Sequence, residues 1–543
     1  MRRQMLACLA LVAFTGTLQA VQTWRAVVPA QDAVRYARTA QQIERNGLRT
    51  TAAEEERVVF SACVLAVRKL DAWARSNNLA LWPRLAWGDC AQLTAATAAT
   101  LAILPIYIAF CLWLRATAPA VLGAVLFAAA PAVVDLGADG LGDSTHLLCA
   151  ATSIALGVAA LRATGNRQAT ILWTLAGAAL GAAWLVRSEA LFLVPAFAAG
   201  AIAVAWTRRE RLSQAALALC APSCSLAVGI ALPLFAHGTI VSGVGPWQRT
   251  ARLVAAEQVP QADALDDDVA GRWLLASGEE MTFPFKEHTT SSRFHGLLPA
   301  TGELASELAA AAGAGLLVLA IGGFRPLRIR TSADALFATL AITVAAGSVI
   351  YASGAGYLSE RHLVLLLVPL AGRAGRGIWC IAVQLATAQT SRLVRNRAVL
   401  PVATVAIVLV INAPRWREPP HASRIAHRRA AAWLDAAQRD GAVLDTRGWT
   451  LLYSGRPTYR YDESPRALCD PHLAYLVVER RDLEVDSPRA RTLADVLHRA
   501  ARAVATLPGP PAKPASNVLI YEWDASRFTH SLANQPNAYQ LGN

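Results

Sequence analysis

The stretch Val133-Val134-Asp135-Leu136-Gly137-Ala138-Asp139-Gly140-Leu141-Gly142-Asp143-Ser144-Thr145-His146-Leu147-Leu148 sets three carboxylates in one short gap between two apolar runs. Carboxylates at the edge of hydrocarbon are costly, and where they persist they usually have a task. A fourth, Asp32, stands just past the first apolar run, in Val28-Pro29-Ala30-Gln31-Asp32-Ala33-Val34-Arg35-Tyr36-Ala37. Threading the chain through a bilayer in the simplest way brings all four acids near one face. That sidedness points to chemistry at the membrane–water boundary.

The bulk composition agrees with a membrane protein. The 543 residues are 55% hydrophobic and only 16% charged, against about 25% charged in a soluble protein. Formal net charge is +13. Its placement follows the positive-inside rule, and no basic run is interleaved with aromatics as a strand-binding groove requires, so nucleic acid is excluded as a partner. Most of the nine cysteines lie in or beside apolar stretches, where Cys acts as a small hydrophobe. Cys63 and Cys90 share the first large loop and leave a disulfide open. No metal-ligand cluster is visible.

About eleven stretches are apolar and long enough to be read as spans: 4–23, 91–113, 119–136, 144–161, 169–186, 190–206, 215–236, 303–323, 335–352, 357–372 and 398–413. One set of connecting loops carries Arg2 and Arg3, Arg115, Arg162 and Arg167, Arg208, Arg209 and Arg211, Arg325, Arg328 and Arg330, and Arg392, Arg395 and Arg397. The other carries Asp135, Asp139, Asp143, Glu189 and Glu360. The basic side is cytoplasmic by this pattern, with the N-terminus inside. Arg373 and Arg376 interrupt the apolar stretch Leu363–Ala386. They are placed just inside, with Ile378–Ala386 lying flat on the surface; one longer, tilted span is the alternative.

The expected architecture is a polytopic α-helical membrane unit over 1–413, with outer loops 24–90 and 237–302, followed by a small soluble α/β domain over 414–543 on the same outer face. Within the first loop, Asp32–Arg45 reads as an amphipathic helix, with Ala33, Tyr36, Ala37, Ala40 and Ile43 at helical spacing, suited to the membrane interface. The second loop holds Lys286, His288, Arg293 and His295. The tail reads as helix 423–440, strand 442–446, strand 473–479, helix 489–505, a Pro-rich loop 508–514 and strand 517–523.

The order of these features resembles the GT-C glycosyltransferase superfamily, above all the bacterial relatives of protein O-mannosyltransferases and of the aminoarabinose transferase acting on lipid A. That family has a first-loop motif Asp-Glu-x-Arg-Tyr-Ala; here Asp32, Arg35, Tyr36 and Ala37 match, and Ala33 replaces the second acid. Pro105-Ile106-Tyr107 is similar to the family's Pro-x-Tyr. Gly142-Asp143-Ser144-Thr145-His146 is similar to its second acidic motif. Arg187-Ser188-Glu189 is similar to its Arg-Pro-Glu, with Pro lost. Glu360-Arg361-His362-Leu363 with Pro369 is similar to its Arg-Tyr-Leu-x-Pro. The His-Pro pair frequent after the first motif is absent; the region reads Glu55-Glu56-Arg57-Val58. The likeness spans roughly residues 1–415.

The resemblance implies a membrane enzyme that moves a sugar from a polyprenyl-phosphate carrier to a lipid or protein acceptor on the outer face of the inner (cell) membrane. Such a transfer needs a base for the acceptor's proton and positive groups to hold the departing phosphate. A single displacement inverts the anomeric centre. On this reading Asp32 is the base, and its competing reading is a helix N-cap. Asp143 is a second catalytic candidate and an equally good cap for its span. Arg361 is the leading phosphate ligand, because a guanidinium offers forked donors; a snorkelling side chain or a partner for Glu360 is the alternative. Arg35 lies three positions from Asp32, where a helix makes them neighbours. Tyr36, Asp139, Lys286 and Arg293 complete the substrate-binding candidates, each with loop solvation or packing as its plain reading. Arg187 and Glu189 read as a structural pair at a span boundary. The resemblance leaves metal dependence open, and Asp139 and Asp143 could serve a divalent cation. A transporter or flippase of lipid-linked or small polar substrates is the competing class. It fits less well because no broken spans recur symmetrically and the acids gather at one face. A scaffold whose tail binds a partner is the third.

Overall fold

The computed structural model describes residues 2–48, 51, 58–80, 82–207, 269–274, 280–284, 297–322, 331–355, 358–388, 398–417, 419–468, 470–485, 488–510 and 516–533. The expected span 215–236 and most of the expected loop 237–302, with Lys286 and Arg293, lie outside the described residues.

The helical part runs α1 (Arg2–Arg25), α2 (Asp32–Asn46), α3 (Val58–Ser76), α4 (Trp87–Leu114), α5 (Thr117–Ala128), α6 (Pro131–Asp139), α7 (Asp143–Arg162), α8 (Asn166–Val186) and α9 (Leu193–Thr207). A two-stranded antiparallel hairpin follows, β1 (Val269–Leu274) and β2 (Glu280–Pro284). Then come α10 (Leu297–Gly322), interrupted at Gly313, α11 (Ser332–Ala355), α12 (Val364–Ala388) and α13 (Val399–Arg417). Among the described residues seven helices are long and apolar enough to cross a bilayer, or eight if the bent pair α5–α6 is one span. One continuous apolar core joins α4, α5, α7, α8, α9, α10, α11 and α12.

Three local departures from the sequence reading have physical causes. The stretch 119–136 is not one straight helix: α5 and α6 meet at 53°. Pro131 has no N–H to donate and would clash inside a helix, but it suits a first helical position. The segment 378–386 is not a separate surface helix; α12 continues through Arg373 and Arg376 to Ala388, as the longer single helix of the alternative reading. Arg373 is tolerated there because Asp334 lies 3.8 Å away and the Trp113 ring 5.5 Å away. The amphipathic α2 does form, but protein rather than lipid covers its apolar face: Tyr36 packs edge-on against Phe60 of α3 at 4.9 Å, and Val34 and Ala37 pack on Trp449, Leu451 and Leu452. Cys63 and Cys90 are both free thiols.

The C-terminal region comprises α14 (Ile425–Ala436), β3 (Ala442–Asp445), α15 (Thr450–Tyr453), β4 (Thr458–Arg460), α16 (Ser464–Leu468), β5 (Leu473–Glu479), α17 (Arg481–Glu484), α18 (Pro488–Ala500), β6 (Ala501–Leu507), β7 (Val518–Trp523) and α19 (Ala525–Ala533). The strands form one mixed sheet in the order β4-β3-β5-β7-β6. Every residue of the central β5 is buried, as an apolar run covered on both faces requires. Val477 meets Ala430 and Leu434 of α14 on one side, and Leu476 and Val478 meet Leu493 and Leu497 of α18 on the other. The helix expected over 489–505 ends at Ala500, and its last part becomes the edge strand β6, where pairing with β7 outweighs the helix preference of alanine.

This sheet drives a wedge into the helical part. Asp445, fully buried at the end of β3, accepts the N–H groups of Arg447 (2.9 Å) and Thr450 (2.8 Å) and so shapes the turn that presents Trp449 to α2. Gly448 has φ +78°, and a Cβ there would meet Val34 of α2 at 2.9 Å; both facts call for glycine. α3 buttresses α2 from another side. Its buried Asp71 accepts from Arg75 (3.1 Å) and from the Trp82 indole (2.8 Å).

The Arg75 hydrogen bonds and the Trp82 and Leu85 donors hold the Asp71 carboxyl below its ordinary value of 3.8. Because the folded value is depressed, this stabilisation is complete above the ordinary value and is lost as pH falls through the folded one. Resistance of the protein to urea unfolding in detergent is expected to fall as pH drops below about 4. Asp71→Asn should flatten that acid limb and cost about 2 kcal/mol at neutral pH.

Candidate functional site

The site begins with α6. Gln19, 1% exposed inside α1, donates from Nε2 to the Val133 carbonyl (2.7 Å) and accepts the Gly137 N–H at Oε1 (2.9 Å). Gln92 of α4 donates to the Ala138 carbonyl at 2.8 Å. A Cβ on residue 137 would lie 2.4 Å from the Gln19 oxygen, so only glycine permits this approach. Two buried amides thus clamp a short helix at the end of the bundle, and its polar residues Asp135 and Asp139 face a cleft.

Asp32 opens α2 without acting as a side-chain cap. The Asp139 carbonyl accepts the N–H of Ala30 at 2.9 Å, which ties this start to α6. The Asp32 carboxylate, 58% exposed, accepts from Arg361 Nη1 at 3.0 Å. Arg361 comes from the 3-10 turn Glu360–Leu363 that leads into α12. The turn's other charged residue, Glu360, accepts instead from Arg415 at the end of α13, so Arg361 is not its partner.

Behind this half-open pair is a closed one. Asp143 at the start of α7 is 7% exposed and Arg187 10% exposed, and they form an ion pair. Arg187 Nε also donates to Glu189 at 3.0 Å. Asp143 and Arg187 both lie within electrostatic reach of Arg361. Charges out of water need this kind of full pairing. His146 sits one turn on, buried, with Nδ1 against the Ala183 carbonyl at 3.2 Å.

Beside Asp32 and Arg361 opens a cleft of about 450 Å³, lined among others by Gln22, Asp135, Asp139, Glu307, Glu360, Arg361, Arg415 and His421. Arg415 donates to Asp135 (3.4 Å) and to the Ala310 carbonyl (2.9 Å). His421 Nε2 lies 2.8 Å from Asp139. The cleft therefore mixes carboxylates from α6, α10 and the 360–363 turn with the guanidiniums of Arg361 and Arg415, so it can hold a ligand carrying both hydroxyls and a phosphate.

Of the residues expected from sequence, Asp32, Arg361, Asp143 and Asp139 converge at this end of the bundle. Tyr36 joins them from below, its hydroxyl beside Gly142. Arg35 is exposed on α2. Lys286 and Arg293 lie outside the described residues. Asp139 and Asp143, the pair that could serve a divalent cation, are engaged by different partners, His421 and Arg187. Among the described residues no group of three or more His, Cys, Asp or Glu is placed to hold a metal ion. Gln19, Gln22, Arg415 and His421 were not expected from sequence. One signal for the first two was available: Thr15, Gln19 and Gln22 form a buried polar stripe at helical spacing within an otherwise apolar span.

No protein-family model and no curated protein sequence matches the chain. Solved structures do. ArnT from Cupriavidus metallidurans bound to undecaprenyl phosphate superposes with a TM-score of 0.56 at 12% identity, over 96% of this chain and 98% of that one. Its apo state gives 0.55 at 11% identity, over 95% and 98%. The archaeal oligosaccharyltransferase AglB from Archaeoglobus fulgidus, in complex with an inhibitory peptide and a dolichol-phosphate, gives 0.52 at 12% identity, over 92% of this chain and 72% of that one. These neighbours are GT-C glycosyltransferases, and the chain has their fold.

Replacing Arg187 by Leu strands the buried Asp143 carboxylate. Unfolding in detergent should show a loss of about 3–5 kcal/mol. The double variant Arg187→Leu with Asp143→Leu is expected to recover part of it, because both buried charges of that pair are then gone.

Proposed function

We propose that the protein is a membrane glycosyltransferase. It takes a sugar from a polyprenyl-phosphate carrier and transfers it, with inversion, to a lipid or protein acceptor on the outer face of the cell membrane. The observation that carries this reading is the Asp32–Arg361 pair at 3.0 Å, a carboxylate and a guanidinium far apart in the sequence, the guanidinium belonging to a residue that lines the 450 Å³ cleft. The shared fold supports the reaction class.

In this reading Asp32 accepts the proton of an acceptor hydroxyl as its oxygen attacks the anomeric carbon. The bond from that carbon to the phosphate oxygen breaks, and the phosphate leaves with the electron pair. Arg361 exchanges Asp32 for the phosphate as the donor binds, and its forked donors stabilise the charge that develops there. Asp143 is a positioning residue rather than a second base: it is committed to Arg187 beneath Arg361, a rigid counter-charge under the phosphate ligand. Asp135, Asp139 and Glu360 would bind sugar or acceptor hydroxyls, with Arg415 and His421 holding their carboxylates in place. The C-terminal region, wedged on α2 by Trp449, holds Asp32 at the rim.

The decisive assay is transfer of labelled sugar from polyprenyl-phosphate donors by purified protein, with envelope lipid and protein as acceptors. Asp32→Asn should lower turnover at least about a hundredfold while membrane insertion and thermal stability stay at wild-type levels. Full activity of that variant would remove Asp32 as the base. In the same assay Arg361→Ala is expected to raise the KM for donor by about tenfold or more while leaving the KM for acceptor near wild type. Wild-type protein that binds donor but transfers nothing would favour the transporter class.

A further inference from the structure

A second cleft, of about 430 Å³, lies where α1 meets α14, lined by Trp24, Arg25, Val27, Arg428, Arg429 and Ala432 among others. It differs from the cleft that Gln22 lines one turn earlier in α1, where Asp135, Asp139, Glu307 and Glu360 face Arg361 and Arg415. Three arginines, Arg25, Arg428 and Arg429, contribute to its lining, and no acidic residue lines it among the described residues. Their described hydrogen bonds go to backbone carbonyls: Arg25 to those of Trp416 and Arg417, Arg428 to Val27 at 3.1 Å, and Arg429 to Pro508 at 2.8 Å. Arg428 also lies over the Tyr453 ring at 5.1 Å. A carbonyl orients a guanidinium but does not neutralise it, and each guanidinium has five donors to place.

Position supplies the partner. α1 has 24 residues, enough at about 1.5 Å each to cross the roughly 30 Å hydrocarbon layer. Trp24 and Arg25 close that span, at headgroup level. Trp24 is 87% exposed, an indole body suited to the acyl–headgroup boundary. We propose that this cleft is a binding site for the phosphate headgroup of an anionic phospholipid, with Arg25, Arg428 and Arg429 around the phosphate and Trp24 against the glycerol and upper acyl chain. The bound lipid seats α14, and with it the C-terminal sheet, on the bilayer. This inference does not depend on the transfer reaction.

Full-length protein, purified in detergent and stripped of lipid, tests it with phosphatidylglycerol, phosphatidylcholine and inorganic phosphate as probes, read by native mass spectrometry and by the thermal midpoint. Phosphatidylglycerol should be retained and should raise the midpoint; phosphatidylcholine and inorganic phosphate should do neither. The double variant Arg428→Gln with Arg429→Gln should bind phosphatidylglycerol roughly tenfold or more weakly, and the corresponding double Lys variant should keep most of the binding. Trp24→Ala, a change at an exposed side chain, should weaken retention several-fold, which keeps the test open if the Gln pair does not fold. Equal retention of both lipids, an equal shift with inorganic phosphate, or wild-type retention by both the Gln pair and Trp24→Ala would overturn the proposal.

Discussion

The charged end of this protein is organised around α6, and the buried amide of Gln19 fixes that helix at two points. Gln19 sits inside a helix long enough to span a bilayer, where an unsatisfied polar group costs several kcal/mol. It is satisfied by the backbone of α6, through the Val133 carbonyl and the Gly137 N–H. Because a side-chain amide has fixed geometry, the two bonds set both the position and the rotation of α6. Asp135 and Asp139 ride on that helix, and Asp143 follows within one turn of chain. A residue larger than glycine at 137 would push the clamp apart.

Around this clamp the charges sort by depth. The buried pair, Asp143 with Arg187, is closed, and the more exposed Glu189 adds a second partner for Arg187, since a charge withdrawn from water is tolerated only in company. The half-exposed set, Asp32 with Arg361 and Arg415 with Asp135 and Glu360, keeps access to the cleft and can exchange partners with a ligand. Rigid support under exchangeable groups is what a transfer reaction asks of a site. The C-terminal sheet adds to the rigidity: Trp449 and Leu452 close over Val34 and Ala37 of the helix that begins with Asp32. Arg424 adds a hydrogen bond to the Pro29 carbonyl at 3.1 Å and stacks on Trp449 at 4.8 Å. A region whose sequence shows no catalytic motif can matter here by holding another region's carboxylate.

Helix identity was legible along most of the described chain, because apolar runs of this length and the period-3.6 pattern of α2 are strong local signals. The misreadings came where a distant contact changed the outcome. Arg373 reads as a surface residue until Asp334 and Trp113 arrive from other helices to accommodate it. The apolar face of α2 reads as lipid-facing until Trp449, far along the chain, covers it. Ala501–Leu507 reads as the end of a helix until β7 offers it a ladder. At the site, Asp32, Asp143 and Arg361 could be singled out by sequence order and sidedness. Arg415 and His421 could not, since an arginine at the end of a span and a histidine in a loop are ordinary until they meet Asp135 and Asp139.

The amino-acid sequence by itself determined that this chain is a bundle of apolar helices with acids gathered near one face, because hydrophobic length and charge asymmetry are local properties that no partner needs to supply. Only the tertiary structure decided which acid meets which base. Asp32 pairs with Arg361, Asp143 with Arg187 and Glu360 with Arg415, across separations at which sequence spacing carries no geometric information. Those pairings follow from how the helices pack and where α6 bends, and packing is a property of the whole chain.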